Sequence, residues 1–126
     1  MSQLTVLVVD DDPVILNLLE VNFQMEGFRV VSASDGREGL RQALREEPDV
    51  VITDVMMPTV DGLQLTLMLK EDPSTKDLPV ILLTARAQSA DVQRGLDAGA
   101  EAYVTKPFDP LELVDLVYEV LDQSRS

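Results

Sequence analysis

The sequence contains neither cysteine nor histidine, and these two absences exclude several kinds of chemistry. Without cysteine there is no disulfide, no thiol nucleophile and no zinc site with sulfur ligands. Without histidine there is no Ser-His-Asp triad, no histidine-ligated metal and no histidine that could carry a phosphoryl group. Long apolar runs are also missing, since the run at residues 4–9 is too short for a signal peptide or a membrane span. We therefore expect a cytoplasmic protein without a membrane segment.

Basic residues are scarce as well. Ten lysines and arginines stand against 23 aspartates and glutamates, so the formal net charge is −13. Such a surface repels phosphate backbones, which argues against direct binding of DNA or RNA, and it favours divalent cations or basic partners. The 126 residues, 45% of them hydrophobic, suit one globular domain, and we expect a single domain over residues 1–126.

Short apolar runs alternate five times with segments of helical periodicity. The predicted strands cover residues 4–9, 28–33, 50–52, 80–83 and 102–104, and a predicted helix follows each of them, starting at residues 13, 36, 63, 90 and 110. Continuous apolar runs are typical of strands that are buried on both faces. Strictly alternating strands and helices predict an α/β fold, a doubly wound parallel sheet of five strands with right-handed crossovers.

Two helices carry apolar residues that bear on packing. Leu40, Ala43 and Leu44 are predicted to form the inner face of the second helix. The last helix has more apolar residues than one buried stripe needs, namely Leu111, Leu113, Val114, Leu116, Val117, Tyr118, Val120 and Leu121. The additional apolar residues either form a face that binds a partner or a second copy of the chain, or they are single apolar side chains on the surface without a function.

Polar residues follow four of the predicted strands. Asp10, Asp11 and Asp12 follow the first strand, Asp54 the third, Thr84 the fourth, and Thr105 and Lys106 the fifth. In an open doubly wound sheet, ligands bind outside the carboxyl ends of the strands. We therefore expect these residues to converge at one edge of the sheet, although they are far apart in the chain.

Crowded carboxylates repel one another, and a hard divalent cation relieves this repulsion. Mg²⁺ prefers carboxylates, waters and phosphate oxygens as ligands. A lysine and a hydroxyl group nearby would suit a phosphoryl group, and a carboxylate can itself act as a nucleophile that forms an acyl phosphate. The pattern therefore favours Mg²⁺-dependent phosphoryl chemistry.

The chain resembles the receiver domains of two-component response regulators, including chemotaxis regulators, over almost its whole length. The matching segments are residues 8–13, residues 54–58 with Asp61-Gly62, residues 83–85, residues 95–100 and residues 106–108. Each segment alone is a weak signal, but their order and spacing together are specific. The resemblance implies a flavodoxin-like (βα)5 fold with strand order 2-1-3-4-5.

The resemblance also implies a site. Asp54 would be the phosphoacceptor, Asp11 would bind Mg²⁺ directly and Asp10 would bind it mainly through water. The backbone carbonyl of Met56 would complete the metal site, and Lys106 would pair with the phosphoryl oxygens. The phosphoryl group would come from a phosphohistidine on a histidine kinase or a phosphotransfer protein, or from a small acyl phosphate.

Further residues would transmit the signal. Thr84 would donate a hydrogen bond to the phosphoryl group, and Tyr103 would move inward as Thr84 moves. This switch would alter the face formed by the fourth helix, fifth strand and fifth helix, which a downstream protein or a weak homodimer would use. The resemblance also makes the Lys106-Pro107 bond a candidate for the cis form.

Two positions tune the lifetime of the phosphoryl group in this family, and here they are Met56 and Arg86. An apolar Met56 cannot orient an attacking water, so we expect slow self-dephosphorylation. The same two residues resemble the branch that precedes a winged-helix DNA-binding domain and dimerises through charge pairs. Ala102 and Leu116 stand where that branch has an acidic and a basic residue, so those pairs are incomplete here.

Two other functions remain open from the sequence alone. The first is a Mg²⁺-dependent phosphohydrolase with an aspartyl-phosphate intermediate, because such enzymes carry an Asp-x-Asp after the first strand, as Asp10 and Asp12 do. The second is an interaction module that keeps the fold without being phosphorylated. If the chain is a receiver domain, as the resemblance implies, we expect it to promote only its own phosphorylation and dephosphorylation. It would then not be an enzyme that acts on other molecules.

Overall fold

The structure, a computed structural model, describes residues 3–85 and 89–125. Strands and helices alternate along the chain, in the order β1 (Thr5–Val9), α1 (Pro13–Met25), β2 (Arg29–Ala33), α2 (Gly36–Glu46), β3 (Val50–Asp54), α3 (Gly62–Glu71), β4 (Val80–Thr84), α4 (Ser89–Asp97), β5 (Ala102–Thr105) and α5 (Pro110–Arg125). The strands pair in parallel in the order β2-β1-β3-β4-β5. The predicted doubly wound fold and its strand order are confirmed.

The sheet is covered on both faces, which explains its continuous apolar strands. Every residue of β1, β3 and β4 is buried, whereas the edge strands β2 and β5 are mostly half-buried. One face packs against α1 and α5 through Leu19, Phe23, Val114 and Val117, and the opposite face packs against α2 and α3 through Ala43, Leu65 and Leu69. These helices hold the carboxyl ends of the strands in place and leave them uncovered by helix.

The predicted inner face of α2 was wrong at one residue. Leu44 is 44% exposed, and the buried face of the helix is instead formed by Gly36, Gly39 and Ala43. The reason is a close approach at Gly39, where a Cβ atom would lie 3.1 Å from the side chain of Val9. Leu40, directly after Gly39, still packs against the core as predicted, whereas Leu44, one turn later, is exposed.

The last helix leaves apolar surface exposed, as its composition predicts. Leu111 is 64% and Tyr118 is 41% exposed, while Leu113 and Val117 are buried. Tyr118 still rests partly on Phe28, with 5.5 Å between the ring centroids. Within residues 3–85 and 89–125, no helix combines the length and the apolar character that crossing a membrane requires.

Candidate functional site

Three carboxylates meet at the carboxyl edge of the sheet. Asp54 is the last residue of β3, and Asp10 follows β1, which pairs directly with β3 through Val9 and Thr53. One carboxylate oxygen from each of Asp10, Asp11 and Asp54 lies within 4.8 Å of the other two. Asp10 and Asp54 are buried and Asp11 is exposed. The predicted convergence of these residues is confirmed.

Asp10 is held by contacts on three sides. Its backbone N–H donates to the carbonyl oxygen of Ala33 at 3.2 Å, and its Oδ1 accepts from the backbone N–H of Asp12 at 2.9 Å. Its Oδ2 accepts from Nζ of Lys106 at 3.0 Å. A buried carboxylate needs such partners, because leaving it unpaired is costly. The position of Asp10 is therefore set by its neighbours.

Asp12 has a different task from the two aspartates before it. Its carboxylate accepts a hydrogen bond of 2.9 Å from the backbone N–H of Val14 and caps α1, with Pro13 at the first helical position. The Asp-x-Asp pattern therefore divides between a helix cap and the carboxylate cluster. The cluster instead gains Asp54 from a neighbouring strand.

Lys106 reaches the cluster from the loop between β5 and α5. Its backbone N–H donates to the carbonyl oxygen of Thr84 at 2.7 Å, and the Lys106-Pro107 bond is cis, as predicted. Its Nζ lies 3.0 Å from Oδ2 of Asp10 and 3.6 Å from Oδ1 of Asp54. The ammonium group therefore bridges the two buried carboxylates.

Within residues 3–85 and 89–125, the charges at this edge do not balance. Burial raises the pKa of Asp54, and the negative charge of Asp10 raises it further, while Lys106 and a hydrogen bond from the backbone N–H of Met56 act in the opposite direction. Burial by itself lowers the pKa of Lys106, but its hydrogen bond to Asp10 and the charges of Asp10 and Asp54 outweigh burial, so this pKa is raised. Three carboxylates share one ammonium group, and the oxygen-only donor set suits a hard divalent cation.

The loop after β3 folds back onto Asp54. A Cβ atom on Gly62 would lie 2.2 Å from the carbonyl oxygen of Asp54, so only glycine permits this approach. The backbone N–H of Gly62 donates to the carbonyl oxygen of Val55 at 2.9 Å, and Asp61 caps α3. The side chain of Met56 is 52% exposed beside the site.

Thr84 and Tyr103 lie next to the cluster and share a small cavity. Thr84, the last residue of β4, is fully buried, and Tyr103 on β5 is half-buried. The cavity has a volume of about 150 Å³ and is lined by Val55, Met56, Asp61, Leu63, Thr84, Asp91, Arg94 and Tyr103. The two predicted switch residues thus face a common space. Arg86, predicted to influence phosphoryl lifetime, lies outside the described residues.

Two residues of α4 that line this cavity, Asp91 and Arg94, were not predicted from the sequence, and neither was the contact of Gly95 with Tyr103. Arg94 forms an ion pair with Asp91 one turn earlier, and both side chains line the cavity. A Cβ atom on Gly95 would lie 2.9 Å from the ring of Tyr103, so glycine lets the tyrosine pack against α4. The spacing of three residues between Asp91 and Arg94 indicates an ion pair, but no pattern in the sequence points to the contact with Tyr103.

Comparison with known proteins agrees with this geometry. The sequence model of one protein family, the response regulator receiver domain, matches residues 6–118 of this chain. The chain is 41% identical over 116 residues to the DNA-binding dual master transcriptional regulator RpaA of Synechocystis, an alignment that covers 92% of this chain and 48% of RpaA. The chain thus spans about half the length of curated relatives such as RpaA.

Solved structures give the same result. A putative response regulator from Chloroflexus aurantiacus superposes with a TM-score of 0.91 at 38% identity, covering 96% of this chain and 99% of that one. The receiver domain of a sensor histidine kinase from Pseudomonas aeruginosa, solved with a magnesium ion coordinated in its active-site cleft, superposes with a TM-score of 0.88 at 30% identity, covering 96% and 99%.

Fold and site together define a flavodoxin-like α/β protein with an acidic site at the carboxyl edge of its sheet. Within that class, the chain belongs to the response regulator receiver domain family of two-component systems. The known role of this family is to be phosphorylated on an aspartate by a histidine kinase.

Proposed function

We propose that Asp54 is the residue of this receiver domain that accepts the phosphoryl group. The main support is the position of its carboxylate, which is buried at the end of β3, 3.6 Å from the ammonium group of Lys106 and within 4.8 Å of two further carboxylates. Asp10 is tied to the backbone and to Lys106, and Asp12 caps a helix. Asp54 therefore has the carboxylate that is best placed to react.

In the proposed step, a carboxylate oxygen of Asp54 attacks phosphorus, and the bond between phosphorus and the donor's histidine nitrogen breaks. The product is an aspartyl phosphate, and the freed imidazole of the donor keeps the electron pair of the broken bond. Lys106 stabilises negative charge on the transferring group, because its Nζ already lies close to Asp54. The donor is a histidine kinase or a phosphotransfer protein.

We further propose that the site binds Mg²⁺. Asp11 would be a direct ligand, Asp10 would act mainly through water, and Asp54 and the carbonyl oxygen of Met56 would complete the set. The donors fit, because the cluster offers hard oxygen ligands in excess of the single ammonium group. When bound, the ion neutralises charge on the carboxylates and on the phosphoryl oxygens.

The switch that we propose uses the cavity between β4 and α4. The hydroxyl of Thr84 would donate to the phosphoryl group on Asp54, and Tyr103 would then move further into the shared space of about 150 Å³. Because Tyr103 also packs against Gly95, its movement would alter the face formed by α4, β5 and α5. A downstream partner would detect that face.

The chain would promote only its own phosphorylation and dephosphorylation and would not turn over a separate substrate. We also propose that it is a cytoplasmic protein. Among the described residues, the groups that meet at this edge of the sheet are three carboxylates, Lys106 and the neighbouring Thr84, and this set suits a phosphoryl group. We also propose slow loss of the phosphoryl group, because the apolar side chain of Met56, which is half-exposed beside the site, cannot orient an attacking water. Arg86 would be the second residue that influences this lifetime.

The test is the intact mass of the protein after incubation with acetyl phosphate and MgCl₂. We expect a gain of one phosphoryl group that Asp54→Asn abolishes, that chelation of the metal prevents and that Asp77→Asn, a change at an exposed aspartate, leaves intact. Absence of a gain in the wild type would indicate a non-phosphorylated interaction module. Turnover of a small phosphate ester would indicate a phosphohydrolase, and decay within seconds after donor removal would contradict the slow loss.

A further inference from the structure

A groove runs between the carboxyl end of β5 and the first turns of α5, on the side of β5 opposite to Tyr103. Its volume is roughly 330 Å³, and it is lined by Val104, Thr105, Pro107, Phe108, Asp109, Glu112, Leu113 and Leu116. Val104, Phe108 and Leu116 are only partly buried although they pack against the core. Leu111 is 64% exposed on the same turns of α5. An apolar side chain of a partner would find hydrophobic walls here.

Carboxylates border this groove and continue along the helix. Asp109 and Glu112 line it, and Asp115, Glu119 and Asp122 extend the row as exposed residues. The spacing of 112, 115, 119 and 122 places these side chains on one face of α5. Between Pro110 and Gln123 the sequence of α5 has no lysine or arginine, so the part of the helix that carries this row supplies no positive charge of its own.

The lysine nearest to the groove does not offset the row either. Lys106 stands between the groove residues Thr105 and Pro107, but its ammonium group pairs with Asp10 and Asp54 on the other side of the loop. The groove therefore combines apolar walls with two carboxylates, those of Asp109 and Glu112, and the acidic row of α5 continues from it. A ligand that complements both features carries apolar side chains flanked by positive charges.

A second copy of the chain does not have that chemistry on this face. A two-fold dimer would place the same patch against itself and oppose the carboxylate rows of two α5 helices. Ala102 and Leu116 also lack the charges with which such a contact could be balanced. The electrostatics of the groove thus disfavour self-association and favour a basic partner.

We propose that the groove between β5 and α5 binds an amphipathic, basic protein segment, with an apolar side chain between Val104, Phe108 and Leu116 and with lysines or arginines along the row from Glu112 to Asp122. This proposal rests on the proposed receiver function. It specifies the chemistry of the downstream partner that would bind this face of the domain. The groove shares residues 105–107 with the loop that carries Lys106 to Asp54. Binding and phosphorylation would therefore influence each other reciprocally.

The test uses a synthetic amphipathic helix made only of leucine and lysine, titrated into the ¹⁵N-labelled full chain. We expect shift changes that centre on residues 104–119 and an affinity that falls as salt is added. A leucine–glutamate peptide of the same pattern is expected not to bind. The double variant Glu112→Gln/Glu119→Gln should weaken the affinity by about tenfold, on the order of two charge pairs.

The matched control is Glu26→Gln/Glu71→Gln, which removes the same charge from exposed sites away from the groove and should change the affinity less than twofold. Equal weakening by the two double variants, shift changes spread over the whole acidic surface, or dimerisation through Leu116 in sedimentation would overturn the proposal. Phosphorylation is measured separately by mass on the same variants. A chain that binds the peptide but takes up no phosphoryl group contradicts the proposed function alone, and the reverse result contradicts only the groove.

Discussion

Two half-buried lysines at opposite ends of the sheet show how an ion pair that supports the fold differs from one that serves a reaction. Near the amino end of β4, Nζ of Lys70 donates to both carboxylate oxygens of Glu101 and to the carbonyl oxygen of Leu78. Glu101 in turn accepts from the backbone N–H of Val80 at 3.0 Å. One cation meets one anion, and the group is locally neutral.

At the carboxyl edge, Lys106 is as little exposed as Lys70, with 20% against 21% of the side chain accessible. Its surroundings are different, because it faces Asp10 and Asp54 at once, and Asp11 stands next to both. Among the described residues, this site has an excess of negative charge. Burial raises the pKa of Asp54, and the negative charge of Asp10 raises it further. Such an imbalance weakens the fold and prepares a place for a cation.

Of the substitutions that test this difference between the two lysines, we expect the largest effect on labelling and on stability at Lys106. Lys106→Met should slow labelling by acetyl phosphate about a hundredfold, because a preorganised positive charge is lost at the reacting group. It should also lower the free energy of unfolding by about 3 kcal/mol, because two buried carboxylates lose their shared cation. Labelling kinetics by intact mass and urea unfolding at neutral pH measure the two effects. Labelling at the wild-type rate would show that Lys106 is as purely structural as Lys70.

Magnesium should act on only one of the two regions. At ten times its dissociation constant, Mg²⁺ should add about 1.4 kcal/mol to the free energy of unfolding, since it binds the folded chain alone. Asp11→Asn should abolish most of this gain, whereas Asp77→Asn should preserve it. Urea midpoints with and without MgCl₂ provide the measurement. An equal gain in Asp11→Asn would place the ion elsewhere.

The excess charge should also appear in the pH dependence. Because the pKa of Asp54 is raised in the folded state, its ionised form destabilises the fold, fully above the folded-state pKa and not at all below the unfolded value near 3.8. Without Mg²⁺, Asp54→Asn should therefore be more stable than the wild type at pH 7, and the difference should shrink as the pH falls toward 4. Urea unfolding across this range tests the sign. A difference that grows toward low pH is the opposite result.

The smallest effect is expected at Lys70. Lys70→Met should lower the free energy of unfolding by roughly 1 kcal/mol, because the pair is partly exposed and Glu101 keeps its bond to Val80. Labelling of Asp54 should be unchanged, since this pair lies near the amino end of β4, at the opposite end of the sheet from Asp54. The same mass and unfolding measurements apply, and a clear fall in labelling would mean that the two ends of the sheet are coupled.

Much of the architecture could be predicted from local patterns. Apolar runs such as residues 4–9 and 80–83 predict buried parallel strands because a doubly covered sheet has no polar face. The parallel arrangement then brings Asp10, Asp54 and Lys106 to one edge. Leu44 shows the limit of this reasoning, because helical periodicity allows several inner faces, and the close approach at Gly39 selects one of them.

The residues themselves determined that this chain is an acidic α/β protein with carboxylates, a threonine and a lysine at the ends of its strands, since the alternation of strands and helices predicts a parallel sheet and the composition sets the charge. Only the tertiary structure decided how these groups divide the work. Asp12 caps a helix while Asp10 and Asp54 share Lys106, and Tyr103 meets α4 at Gly95. Such assignments depend on distances of a few ångströms between distant parts of the chain, and those distances are set by packing.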